Sequence, residues 1–165
     1  MTRRILPLLL LAILSGCGLR PVYSGGSDGV VARMFGTIEV GPIEGQSGWF
    51  VRNKLIDRLG QSGSGGAPAY RLDVTLDDNL TQFGIRGDRA ATRERRTLRA
   101  RYQLVSLAQG QVLLDATAGS DAGIDVVSSE YATVAAEQTA LENLSGIVAD
   151  QIVARLAAFA DRSGQ

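Results

Sequence analysis

The chain has 165 residues, 45% hydrophobic and 21% charged, with 17 basic and 17 acidic side chains and no histidine. That length suits a single domain with one core, and the balanced charge argues against nucleic acid as a partner. Lacking histidine, the chain has neither the commonest general base nor the commonest metal ligand, and no phosphate-cradling or nucleophile-elbow pattern is present, so an enzyme is the weaker class.

At the N-terminus, Arg3 and Arg4 precede an apolar run from Ile5 to Leu14 that is broken only by Pro7. The run is too short to span a bilayer, which takes ~20 apolar residues in a helix, and it has the flanks of a secretory signal sequence. It ends in Leu14-Ser15-Gly16-Cys17, which resembles the lipobox of bacterial lipoproteins. Residues 1–16 are therefore expected to be removed and Cys17 to carry N-acyl and S-diacylglycerol lipid of the palmitate kind. Cys17 is the only cysteine, so no disulfide can form within the chain. Several acyl chains, each buried methylene contributing ~0.8 kcal/mol, anchor a protein firmly without a transmembrane helix. Gly18 rather than Asp follows the cysteine; by resemblance to lipoprotein sorting rules this implies the outer membrane, on its periplasmic side. No other cofactor is expected. The mature chain would hold 149 residues, with 15 basic against 17 acidic side chains; its only lysine is Lys54.

Residues 17–35 read as a lipidated tether, because Pro21, Ser24, Gly25, Gly26, Ser27 and Gly29 discourage regular structure. Residues 36–162 read as one α+β domain. It starts with a short strand, Thr37 to Val40, ended by Gly41-Pro42. A helix over 48–59 follows, capped by Ser47, with Val51, Leu55, Ile56 and Leu59 on its apolar side. Gly60 and a Gly/Ser tract to residue 66 stop it. Tyr70, Leu72, Val74 and Leu76 alternate with polar residues as a half-buried strand, and a connection over 84–91 leads to a second. There Leu98, Ala100, Tyr102 and Leu104 point one way, and Arg93, Arg95, Arg99 and Arg101 the other. After a hairpin turn at Gln109-Gly110, Val112, Leu114, Ala116 and Ala118 form the inner face of the next strand, and 119–128 read as a loop. A long helix over 130–160, capped by Ser129, carries Val134, Leu141, Leu144, Val148, Ile152, Leu156 and Phe159. The order β-α-β-β-β-α predicts a small, mainly antiparallel or mixed four-stranded sheet with two helices packed on one face. Its other face is expected to be polar and Arg-rich.

The segment Cys17-Gly18-Leu19-Arg20-Pro21-Val22-Tyr23 resembles the mature N-terminus of LptE lipoproteins of alphaproteobacterial type. Tyr131-Ala132-Thr133-Val134 with Glu137, and the element order, resemble that family too. The Gly-rich stretches 24–29 and 60–66 depart from its pattern and are assigned to loops. The resemblance implies a non-enzymatic, lipid-anchored lipoprotein that plugs its partner, the LptD-type outer-membrane β-barrel, and supports lipopolysaccharide transport and assembly in the outer leaflet. Large barrel lumens are polar, so a plug needs a hydrogen-bonding surface. An auxiliary lipoprotein of an envelope ABC transporter is the alternative, and a lipid-anchored carboxylate hydrolase a more distant one.

On that reading Arg93, Arg95, Arg99 and Arg101 are candidate contacts to lipopolysaccharide or to the barrel, since guanidinium forks match phosphate bidentately. The plainer reading is cross-strand pairing with Asp73 and Asp77 on a solvated face. Trp49 and Phe50 are expected to anchor the core or a loop, with partner contact as the second option, and Tyr70 and Tyr102 to pack inward. Asp121 and Asp125 fall short of a cation loop.

Overall fold

The computed structural model describes residues 29–60, 67–85 and 91–163. The signal segment, Cys17, the 17–23 motif, the Gly/Ser residues 61–66 and the connection 86–90 lie outside these. Seven elements follow in order: α1 (Val30–Phe35), β1 (Ile38–Val40), α2 (Gly45–Leu59), β2 (Tyr70–Ile85), β3 (Ala91–Ser106), β4 (Val112–Asp125) and α3 (Glu130–Ser163). The sheet order is β1-β2-β3-β4. β1 lies parallel to β2, and the other two pairings are antiparallel. This is the expected α+β mixed sheet, with one addition. Val30–Phe35 is helical and buries Phe35 in the core, where composition alone had suggested irregular chain.

Alternation builds the sheet. Leu72, Val74, Leu98, Ala100, Tyr102, Leu104 and Ala118 share the inner face and are buried, while the arginines and aspartates between them stay in water. β2 and β3 each run 16 residues, roughly 50 Å at 3.3 Å per residue. α3 has 34 residues, also roughly 50 Å at 1.5 Å per residue, so one helix is long enough to cover the whole hairpin. Leu144, Val148, Ile152 and Leu156 of α3 meet Val51, Leu55 and Leu59 of α2 and the inner face of the sheet in one core. The two helices run parallel: Gln46 bonds Gln138, and twelve residues further along both helices Arg58 bonds Asp150.

Several boundaries differ from expectation. Residues 119–125 are not loop but the continuation of β4, paired with Arg93 to Arg99; glycines and aspartates with weak strand propensity are held there by the β3 ladder. Val134, in line with the apolar stripe of α3, is 57% exposed, because this first part of the helix precedes the level at which α2 begins beside it. Trp49 is also exposed, its ring meeting Phe50 edge-on at 5.0 Å. Tyr102 is buried and Tyr70 packs at the core's edge, as expected. Val112 is exposed, next to an irregularity in register at Leu104/Val105.

α2 starts at Gly45, three residues before its expected start, with Glu44 rather than Ser47 at the cap. The chain ahead of it is drawn tight against the helix, where Arg52 donates to the carbonyls of Gly41 at 3.1 Å and Val40 at 3.4 Å. A β-carbon at Gly48 would stand 2.5 Å from the Ile43 carbonyl oxygen, which is backbone and cannot swing aside. Gly48→Ala should therefore destabilise the domain by about 1–3 kcal/mol. This is opposite in sign to the gain of up to ~1 kcal/mol that alanine gives at an open helix position. Urea unfolding of the variant checks it; increased stability would show that the loop is not held against the helix.

Candidate functional site

The sheet face away from the helices is a band of charge. Down its centre β3 presents Arg93, Arg95, Arg99 and Arg101, all exposed. Antiparallel pairing sets Asp125, Gly123, Gly119 and Thr117 of β4 opposite them on one side. On the other side Phe83, Thr81, Asp77 and Thr75 of β2 stand opposite.

The aspartates that pair with these arginines come from β4, not from β2 as the plainer sequence reading had it. Arg101 donates to both oxygens of Asp115, at 3.2 and 2.9 Å, and Gln103 adds a bond of 2.8 Å to the same carboxylate. These bonds, Arg101 first and then Gln103, hold the Asp115 carboxyl below the usual aspartate range. Arg93 bonds Asp125 at 3.0 Å, and Arg95 approaches Asp121 at 3.8 Å while its guanidinium lies 5.3 Å from the centre of the Phe83 ring. Asp73 is instead engaged by Arg71 of its own strand, and Asp77 accepts from Asn79. The reason is register. Asp121 and Asp125 sit on residues 119–128, expected as loop, and Asp115, on the expected strand, is brought to Arg101 by a register that no local pattern gives. Asp121 and Asp125 lie on β4, and among the described residues no group of three acidic or thiol side chains is gathered.

Arg99 differs from the other three. Among the described residues it has no ion-pair partner. Its aliphatic stem lies across Gly119, where a β-carbon would come 2.6 Å from Cδ and 2.9 Å from the Leu98 carbonyl oxygen. Gly119 is held from the other side: its N–H donates to Gln151 of α3 at 2.9 Å, and its carbonyl accepts from the Gln151 amide at 3.3 Å. Thr75, Asp77, Arg99, Arg101, Thr117, Gly119 and Gln151 thus border a shallow open hollow of about 590 Å³. An uncommitted guanidinium beside hydroxyls and a fixed strand edge is chemistry for an anionic or hydrogen-bonding surface. Cys17, the expected lipid site, lies outside the described residues.

A second polar group escaped sequence analysis. Glu94 and Arg96 share the parity of Leu98 and Tyr102, so they point toward the helices. Arg96 donates to both oxygens of Asp78, at 2.8 and 2.7 Å, and to the main-chain carbonyl of Glu137 at 3.2 Å. Glu94 is only 4% exposed and accepts from Gln82 at 3.0 Å. Extending the alternation two and four residues back from Leu98 is the signal that finds them.

A family model described as LptE: Lipopolysaccharide-assembly matches residues 35–156. Among solved structures, a Caulobacter crescentus chain assigned as a lipoprotein is 26% identical with a TM-score of 0.66, covering 82% of this chain and 98% of its own. The minor lipoprotein of Acinetobacter baumannii is 15% identical with a TM-score of 0.55, over 73% of this chain and 91% of that one. Rare lipoprotein B of Shewanella oneidensis is 11% identical with a TM-score of 0.54, over 78% and 98%. These last two establish likeness of fold. Among curated proteins none matches.

Proposed function

We propose, since this chain belongs to the LptE lipopolysaccharide-assembly family, that it is an outer-membrane lipoprotein, held by lipid on Cys17, that seats inside an LptD-type β-barrel and supports delivery of lipopolysaccharide to the outer leaflet. The observation that carries this reading is the division of the sheet. Its inner face is covered by helices, and its outer face is exposed charge, Arg93 to Arg101 with their aspartates. A barrel lumen is polar, so such a face suits a plug that hydrogen-bonds its surroundings while keeping apolar area inside. No described helix is long and apolar enough to cross a membrane, which accords with anchoring by lipid. The work is positional and needs no catalytic group.

Within this reading Arg99 and Arg101 are the cations that meet lipopolysaccharide phosphates or acidic lumen residues, Arg99 first because it is uncommitted. Surface ion pairs of this kind contribute little to stability. The double change Arg99→Ala, Arg101→Ala should therefore leave the melting temperature nearly unchanged while weakening barrel assembly or lipopolysaccharide binding severalfold. Intact assembly and binding in that variant would confine the face to solvated pairing. The partner itself is tested by affinity purification of the tagged, lipidated protein from detergent-solubilised envelopes. One large β-barrel protein in near-equal amount is expected, whereas transporter subunits would favour an auxiliary lipoprotein of an envelope ABC transporter.

A further inference from the structure

The inner face of the sheet stops being apolar toward the end where β2 leaves and β3 begins. There Asp78 and Gln82 of β2, Glu94 and Arg96 of β3, and Glu137 of α3 come together under the first two turns of the long helix. Gln82 satisfies one oxygen of Glu94, while the other oxygen is buried and has no hydrogen-bond partner. A buried acceptor left in that state is costly. The group within hydrogen-bonding reach of Glu94 is the Glu137 carboxyl. Two carboxylates cannot bond each other, but a protonated Glu137 would supply the donor that the Glu94 oxygen lacks.

No described neighbour donates to that oxygen. Arg96 spends two N–H groups on Asp78 and a third on the Glu137 main-chain carbonyl. β4 offers Ala122 and Ile124 on its inner face here, neither of them titratable, and α2 reaches this level with the uncharged Gln46–Gln138 contact. The titratable and charged groups facing the pair are thus Asp78 and Arg96, which neutralise one another.

We propose that Glu94 and Glu137 share one proton, and that this proton latches the first two turns of α3 to the tip of the sheet. When it is bound, the Glu137 O–H donates to the free Glu94 oxygen. When it leaves to solvent, two carboxylates face one another and the start of the helix loosens. The direction of the Glu137 titration agrees: burial first, and then the Glu94 charge, push its carboxyl above the usual glutamate value, with Arg96 opposing. A carboxyl whose folded-state value is raised binds its proton more tightly folded than unfolded. The latch is therefore complete at low pH and lost as pH rises through the raised value.

The test is amide hydrogen exchange over residues 130–141 in the lipidated full-length mature protein in detergent, corrected for the intrinsic pH dependence of exchange. Protection of this segment should fall severalfold between about pH 5 and about pH 8, as the shared proton is lost. Glu137→Gln, whose amide donates at every pH, should hold protection high at both. Equal protection in the unaltered protein at both pH values, or a fall in Glu137→Gln matching it, overturns the proposal. Carboxyl ¹³C titration of the unaltered protein gives a reading independent of any variant. One glutamate titrating above the ordinary range supports the shared proton, and none doing so overturns it.

Discussion

Replacing Leu144 with Asp is expected to lower the stability of the domain by roughly 3–5 kcal/mol, the range for an uncompensated buried charge. Leu144 is 1% exposed and lies in the cluster where α3, α2 and the inner sheet face meet. That cluster is apolar, so a carboxylate there has no cation to meet and must be either desolvated or protonated. Single domains are stable by only about 5–15 kcal/mol, and for this length the loss corresponds to roughly 10 °C in melting temperature. Val134→Asp is the matched control. It falls on the same three- and four-residue stripe but is 57% exposed, so the same chemical change should leave melting nearly where it was. A Leu144→Asp variant that melts like the unaltered protein would show that the stripe does not face the core.

That pair of positions also marks how far the sequence could be read. Periodicity identifies a helix and its apolar side, and from Leu141 to Leu156 it named core residues correctly. It carries no information about where a neighbouring helix begins, which is what leaves Val134 in solvent. Alternation placed Leu98 to Leu104 inward and the four arginines outward. It could not supply the partners of Arg93 and Arg95, because those lie on a strand extension, Gly119 to Asp125, whose composition favours a loop and whose structure comes from pairing with β3. Gly48 was invisible for a related reason: its tight contact with Ile43 depends on how the loop folds back, not on any local pattern. The buried polar group under α3 was legible in part. Glu94 and Arg96 obey the alternation, but charged residues at inward positions read as an end to the strand rather than as an interior ion pair.

Arg96→Ala is the second substitution expected to act strongly, by about 2–4 kcal/mol near neutral pH. The figure lies somewhat below the ~3–5 kcal/mol for breaking a fully buried pair, because the Arg96 and Asp78 side chains remain 16% and 20% exposed. Three things are lost together. Asp78 gives up both of its bonds, the Glu137 carbonyl gives up a donor, and the Glu137 carboxyl loses the positive charge beside it. Arg101→Ala breaks a pair of the same geometry on the solvated face and should leave melting almost unmoved, so the contrast isolates burial from bond count. A double-mutant cycle with Asp78→Asn sharpens it. Removing both charges should cost less than the sum of the singles, with a coupling of about 1–3 kcal/mol for directly bonded groups. If Arg96→Ala were as mild as Arg101→Ala, the interior pair would not be holding the helix start to the sheet.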